Sequence, residues 1–465
     1  MNFDLIVIGS GPGGYVAAIR ASQLGMKTAI IERESLGGIC LNWGCIPTKA
    51  LLKSATVFEN FKHAANYGIK DASAQIDFAA VIGRSRGVAG DMSKGVQFLM
   101  KKNKIQVIMG FAKLARGKQV EVTDAAGVVT SYSAEHIIVA TGGRAKELPN
   151  LKIDGDKIIE YRKAMSLTTQ PKKLVVVGAG AIGVEFAYFY HSIGTEVTVV
   201  EFLEQGLLPR EDEDISKELG KIYSKDGIRV LAGTSVESVD TTGAGCKVRT
   251  KNRKDGKEEI IDCDVVLSAA GVSPNIENIG LETLGIKTDR GTIVVDEFYR
   301  TNVPCIYAIG DVLATQALAH VAMSEAVICV EKIKGKNPEP LDYNNIPGCT
   351  YCNPEVASVG FTEKAAKEAG YELKVGKFPF TASGKAKAAG APQGFVKVIF
   401  DAKYGEFLGA HLIGYNVTEI IAGVVTARKL ETTGHDIIST VYPHPTMSEA
   451  IKDAAEAAYG EAIHL

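Results

Sequence analysis

The sequence lacks most of what would carry a protein to a membrane, a nucleic acid or an oxidising compartment. Its 52 basic and 54 acidic residues leave a formal charge of -2, so neither nucleic acid nor an acidic membrane surface is an expected partner. No apolar run approaches a bilayer span, and Met1-Asn2-Phe3-Asp4 leads straight into a strand-like run, without the basic start of a signal peptide or the arginines of a transit peptide. Eight cysteines in 465 residues are few, and their scatter is not that of a secreted disulfide framework. Cys246, Cys263, Cys305 and Cys329 fall in apolar runs that read as core packing. Cys349-x-x-Cys352 has no second pair and no nearby histidine to complete a zinc site, so no metal is expected. These absences predict a soluble, unprocessed, cytoplasmic protein.

What the chain does have is length and one pattern written twice. At 465 residues it exceeds what a single hydrophobic core supports, so three or four domains are expected. Phe3 to Ile8 is a continuous apolar run, as in a strand buried on both faces of a parallel sheet. Gly9-Ser10-Gly11-Pro12-Gly13-Gly14 follows, then helical periodicity from Tyr15 to Leu24, then a strand from Thr28 to Ile31 ending at Glu32. In such a unit the first glycine makes the turn, the second lets a pyrophosphate approach the backbone, and the third lets helix and strand pack closely; the acid receives ribose hydroxyls. The pattern recurs with Leu174 to Val177, Gly178-Ala179-Gly180-Ala181-Ile182-Gly183, a helix to about Ile193, and Val197 to Val200 ending at Glu201. In both copies the acid lies eighteen positions beyond the last glycine, which predicts two dinucleotide sites. Glu201 is followed by Phe202, with no Arg or Lys before Arg210, so the second site should prefer NAD over NADP.

Between and beyond these copies the pattern predicts a helix from about Asp71 to Lys102, a strand meander over Ile105 to Thr130, and a strand from His136 that ends in Ala140-Thr141-Gly142-Gly143. Glu211 to Asp226 reads as a solvent-facing amphipathic helix and Lys251 to Glu259 as a charged hairpin turn. Buried strands end at Gly271 and at Gly310-Asp311, a helix follows over Ala317 to Ile333, and short strands mixed with helices begin near Asn344 to Pro347.

Two stretches carry candidate chemistry. Leu36-Gly37-Gly38-Ile39-Cys40-Leu41-Asn42-Trp43-Gly44-Cys45-Ile46-Pro47-Thr48-Lys49 holds two cysteines that a straight helix could not join, because five helical steps rise about 7.5 Å while a disulfide needs its Cα atoms within roughly 7 Å. Pro47 and the glycines permit a distorted first helical turn that closes the pair, and a helix N-terminus lowers a thiol pKa. Spacing alone leaves a working redox pair and two reduced core cysteines equally open. Near the other end, Tyr442-Pro443-His444-Pro445-Thr446-Met447-Ser448-Glu449 precedes a helix from about Met447 to Tyr459. The flanking prolines hold His444 in a fixed position suited to proton transfer, and Glu449 either completes a capping box with Thr446 or orients the imidazole.

In this order and at these distances, the motifs resemble the FAD-dependent pyridine nucleotide-disulfide oxidoreductases over essentially the whole chain, and most closely the members that oxidise dihydrolipoyl groups. The resemblance implies an α/β fold with two Rossmann-like dinucleotide-binding domains and a C-terminal α+β dimerisation domain. It divides the chain into an FAD-binding domain over residues 1–143, an NAD-binding domain over 144–271, a central domain completing the FAD site over 272–342, and an interface domain over 343–465. It implies that Gly9, Gly11, Gly14, Glu32, Arg33, Gly38, Lys49, Ala112, Thr141, Gly142, Asp311, Leu318 and Ala319 surround FAD. Gly178, Gly180, Gly183, Glu185, Glu201, Val236 and Gly271 would line the NAD site. Cys40 and Cys45 would form the redox-active disulfide, with His444 and Glu449 as base and orienting carboxylate, contributed across a homodimer interface. The implied partner is dihydrolipoamide or the lipoyl domain of a 2-oxo acid dehydrogenase complex or glycine cleavage system. The sequence departs from the family at Gly271-Val272-Ser273-Pro274-Asn275, where many relatives carry an arginine after the glycine, and at Trp43, where a smaller residue is common. Rival readings are a glutathione or mercuric reductase, or a flavoprotein whose role is docking or redox sensing.

Overall fold

The computed structural model describes residues 2–70 and 73–465. β1 (Asn2–Ile8), α1 (Pro12–Gln23) and β2 (Thr28–Glu32) form the first nucleotide fold. Leu5, Ile6 and Val7 are fully buried, each side chain contributing about 1.5–3 kcal/mol. Two helices follow, α2 (Gly38–Trp43) and α3 (Cys45–Lys62). α4 (Phe78–Lys102) starts later than the pattern predicts, because the Asp77 side chain accepts from the Ala80 N–H and caps it there; Asp71 lies outside the described residues.

β3 (Gln106–Met109), β4 (Phe111–Ala115), β5 (Gln119–Thr123) and β6 (Val129–Val139) complete one sheet in the order β3-β2-β1-β6-β5-β4. The meander and the apolar strand predicted at His136 share one strand. Val129 to Ser133 of β6 pair antiparallel with β5, and Ser133 to Val139 pair parallel with β1. The strand Ile306–Ala308 returns from far along the chain to pair with the same end of β6.

β7 (Gly143–Ala145), β8 (Ile158–Ile159) and α5 (Tyr161–Ala164) lead into the second nucleotide fold, β9 (Lys173–Val177), α6 (Ala181–Ser192) and β10 (Glu196–Val200). α7 (Glu213–Asp226), β11 (Arg229–Leu231), a three-stranded antiparallel ribbon of β12 (Thr234–Asp240), β13 (Cys246–Asn252) and β14 (Glu258–Cys263), and β15 (Val265–Ser268) follow. The second sheet is all parallel, in the order β11-β10-β9-β15-β8. Cys246 and Cys263 are buried, as core packing predicts, and stand directly opposite each other on β13 and β14.

α7 is amphipathic, as its pattern predicts, but one end is not solvated. It buries Ile215, Leu219 and Tyr223, and at its start Asp212 and Asp214 meet Lys397 at 2.8 and 3.0 Å. Lys397 is 4% exposed, stands on the strand Phe395–Asp401, and also pairs with Glu363 at 2.8 Å. That strand belongs to a five-stranded antiparallel sheet of the last domain, built from 348–350, 355–360, 373–379, 395–401 and 407–414. The ion cluster therefore ties the second nucleotide fold to the C-terminal sheet.

Candidate functional site

The two glycine loops have the same geometry. Gly9 and Gly178 adopt φ of +99° and +102°, and a Cβ on either would strike the backbone oxygen of Ala140 or Ala269 at 2.3 or 2.5 Å. A Cβ on Gly14 or Gly183 would lie 1.9 Å from the oxygen of Gly9 or Gly178, so only hydrogen lets each helix meet its strand. Gly11 and Gly180 face open space, and no side chain caps α1 or α6. Open backbone amides above an uncapped helix N-terminus fit a dinucleotide pyrophosphate in both places. The buried carboxylates of Glu32 and Glu201 accept from the Ser10 N–H at 3.0 Å and the Ala179 N–H at 2.7 Å, fixing each loop to the end of the next strand.

The cysteine stretch hangs on the first loop. Gly37 donates its N–H to the Ser10 carbonyl at 3.1 Å, and a Cβ on Gly38 would strike Gly11 Cα at 2.5 Å. The sequence suggests a distorted first turn; instead the helix breaks outright at Gly44, whose φ of −143° and ψ of −116° end α2 and begin α3. Cys40 lies in α2 and Cys45 is the first residue of α3, and their thiols stand within hydrogen-bonding reach. A hydrogen bond from Cys40 lowers the Cys45 pKa, and the Lys49 ammonium one turn along α3 lowers it further, against the effect of burial. The same shared proton, with burial, drives the Cys40 pKa up, so Cys45 becomes the thiolate first.

Lys49 Nζ pairs with both oxygens of Glu185 at 2.9 and 3.0 Å and lies 4.3 Å from the centre of the Tyr351 ring. Glu185 projects from α6 and also accepts the Tyr351 N–H at 3.0 Å, so its carboxylate joins the second nucleotide helix to the cysteine helix. The end of β6 is tied across the chain. Thr141 Oγ1 donates to the Asn275 carbonyl at 2.6 Å, Asn275 Nδ2 donates to the Thr141 carbonyl at 3.1 Å, and Gly142 at φ +68° leaves open space beside them. Asp311 lies in the turn Gly310–Val312, its carboxyl pKa raised by burial. Leu318 and Ala319 begin the helix Ala319–Ile333, which has no side-chain cap. Ala112 is buried in β4, Val236 is buried in β12, and Gly271 at φ +109° faces open space. Arg33 lines a cleft of about 450 Å³ with Glu34, Gly143, Arg144 and Arg162.

His444 and Glu449 come together far from the glycine loops in sequence. His444 Nδ1 and Glu449 Oε1 are 2.8 Å apart, and Glu449 Oε2 accepts the Thr446 N–H at 2.7 Å. Glu449 thus pairs with the imidazole, while the capping box is only half made: its carboxylate accepts from the Thr446 N–H, but no Thr446 hydroxyl caps the helix. Although burial alone would raise its pKa, the bonds from Thr446 and His444 hold it below the ordinary carboxylate value. The helix starts at Glu449, two residues later than expected, and the Thr446 hydroxyl turns to the Pro443 carbonyl.

Sequence reasoning missed several supporting residues. Glu325 is fully buried and accepts from the Gly310 N–H at 2.6 Å, Thr315 at 3.0 Å and Tyr343 at 2.8 Å, fixing the turn that carries Asp311. Its only sequence signal is an acid on the apolar side of a helix. Arg253, in the charged hairpin turn, stacks on Phe202, 3.9 Å from the ring centre, and so brings a cation to the residue after Glu201 that chain order conceals.

Comparison with known proteins accounts for this arrangement. Residues 3–326 match the pyridine nucleotide-disulphide oxidoreductase family, and residues 346–455 match the dimerisation domain of the same family. A dihydrolipoyl dehydrogenase of Rhizobium etli is 50% identical, covering 100% of this chain and 99% of its own. Among solved structures, LpdA from Mycobacterium tuberculosis superposes with a TM-score of 0.89 at 28% identity, covering 97% of this chain and 99% of that one. The flavoprotein disulfide reductase RclA from Escherichia coli superposes at 0.87 and 26% identity, covering 98% and 99%. The expected fold class is borne out, as are FAD and NAD as cofactors and the homodimer. Among the described residues no helix is long and apolar enough to cross a membrane. Two nucleotide folds joined through a cysteine helix, with a dimerisation sheet behind them, place the chain in the pyridine nucleotide-disulphide oxidoreductase family, to which it belongs.

Proposed function

We propose that the enzyme oxidises dihydrolipoyl dithiols with NAD, giving the lipoyl disulfide, NADH and a proton, by way of the Cys40–Cys45 pair. The observation that carries this reading is the contact of the two thiols at the head of α3, one turn before Lys49. The choice of substrate is supported by the name of the Rhizobium etli relative.

His444, held by Glu449, takes the proton of one substrate thiol, and the thiolate attacks the Cys40 sulfur of the oxidised pair. The Cys40–Cys45 bond breaks and Cys45 leaves as a thiolate, as its lowered pKa favours. The second substrate thiolate then attacks the mixed disulfide, releasing the lipoyl ring and returning Cys40 as a thiol. FAD, when bound, supplies the two-electron acceptor that converts thiol chemistry to hydride chemistry for NAD. Gly9, Gly11, Gly14, Glu32, Arg33, Gly38, Lys49, Ala112, Thr141, Gly142, Asp311, Leu318 and Ala319 would hold that cofactor. Gly178, Gly180, Gly183, Glu185, Glu201, Val236 and Gly271 would hold NAD. The His444 side chain is 79% exposed in the single chain, in keeping with service to the cysteines of a second copy. The natural substrate is then the lipoyl domain of a 2-oxo acid dehydrogenase complex or glycine cleavage system, in the cytoplasm.

Reduction of NAD by dihydrolipoamide, set against oxidation of NADPH by glutathione disulfide, tests the reading; turnover confined to the second pair of substrates would overturn it. Bound FAD with negligible turnover in both assays would favour a docking or sensing role. Cys45→Ser should abolish the long-wavelength thiolate–flavin absorbance of the two-electron-reduced enzyme, and its persistence would refute the role given to Cys45.

A further inference from the structure

Trp43 lies between the two cysteines, and three separate segments grip it. The Arg86 guanidinium on α4 lies 4.4 Å from the centre of its ring, and the Arg162 guanidinium on α5 lies 5.4 Å away. Its indole Nε1 donates to Glu34 Oε1 at 3.1 Å, just beyond β2, and Arg162 binds the same carboxylate at 2.8 and 3.0 Å. Arg86 also donates to the Asn42 carbonyl at 2.6 Å, inside the cysteine loop. Its buried Nε has no hydrogen-bond partner among the described residues, so the ring and that carbonyl are its main anchors.

We propose that Trp43 is a positioning residue of the redox loop: clasped by Arg86, Arg162 and Glu34, it holds Leu41 to Gly44 so that the two sulfurs stay in contact, favouring the disulfide. The inference rests on Cys40–Cys45 as the working pair. The break at Gly44 leaves α2 with no continuous helical bonding into α3, so the loop needs an external anchor to keep Cys40 against Cys45. Two thiols held together present a high effective concentration to each other, and a loosened loop loses that advantage. The bulk of Trp43 fills space, but filling space alone would not require a carboxylate on its nitrogen and cations beside its ring.

The test equilibrates the holoenzyme anaerobically with mixtures of reduced and oxidised dithiothreitol. The Cys40 and Cys45 thiols are counted by alkylation and peptide mass, while melting temperature is followed separately. W43V and R86M should each move the equilibrium toward the dithiol by more than threefold. W43F keeps an aromatic ring between the guanidiniums and should stay nearer the wild type than W43V. Shifts below threefold in both W43V and R86M, whatever their melting temperatures, would overturn the proposal, as would an equal shift in W43F and W43V. A wild-type pair that never equilibrates with dithiothreitol would remove the underlying assignment of the cysteines as well, which separates that failure from the first.

Discussion

The two nucleotide folds make the same close approaches at their glycines, yet they serve different ends of one electron path. In the first, Ser10 adds a hydroxyl bond of 2.6 Å to Glu32 and the loop carries the cysteine helix on its back. In the second, Ala179 offers only its N–H to Glu201, and the chain beyond runs into α7 and the Lys397 cluster. The backbone fixes that a dinucleotide fits; the residues hung on each loop decide what happens beside it. One copy supports the reactive sulfurs, and the other is bolted to the C-terminal sheet.

The glycines offer the hardest break. Gly14→Ala and Gly183→Ala each force a methyl to 1.9 Å from a carbonyl oxygen, which costs about 1–3 kcal/mol or more and shifts the helix. Gly14→Ala should lose flavin at least tenfold, read as absorbance per protein, whereas Gly183→Ala should stay flavin-loaded and lose NAD affinity. A sharper pair is Gly11→Ala and Gly180→Ala. Both positions have negative φ and open space, so melting temperatures should hold while the flavin or NAD dissociation constant, respectively, rises tens of fold.

Next comes Lys397→Met, which leaves the buried Asp212 without its cation while Asp214 and Glu363 keep Lys377 and Lys367, and should cost about 3–5 kcal/mol by denaturant titration. The cluster also sets a pH window. Burial opposes both charges, but pairing depresses the Asp212 pKa and raises that of Lys397. The Asp212 share of stability is present above the ordinary carboxylate range and lost as pH falls through its depressed pKa. The Lys397 share is present below the ordinary lysine pKa and lost as pH rises through its raised one. Calorimetry at acid and neutral pH should show the wild-type advantage over Lys397→Met shrinking in acid. The smallest expected effect is at Glu201→Ala, which removes the carboxylate that would repel a ribose 2′-phosphate and leaves Arg253, stacked on the neighbouring Phe202, as a cation to meet it. The NADP to NAD ratio of kcat/KM should rise about tenfold, and an unchanged ratio would leave Arg253 without that role.

The sequence made the nucleotide folds legible because each glycine acts on atoms within its own loop or the adjoining strand. Helix starts were less legible: the polar residues before Phe78 suit a helix as well as a loop, and the Asp77 cap decides. What could not be read was pairing at a distance. Nothing local shows that β6 serves two neighbours at once, that Cys246 faces Cys263, or that Lys397 is buried among acids 34 to 185 positions away. At the candidate site, spacing and flanking prolines singled out Cys40, Cys45, His444 and Glu449 but left their roles open, and only the family resemblance supplied those. The Lys49–Glu185 pair crosses 136 positions and left no local trace.

The chain owns a single indole, at Trp43, between the two cysteines in sequence and among charged neighbours in the fold. Ultraviolet emission from the entire protein therefore originates, apart from tyrosine, at that loop. No label need be introduced to watch it: the intensity of this one fluorophore should follow each opening and closing of the sulfur bridge in real time.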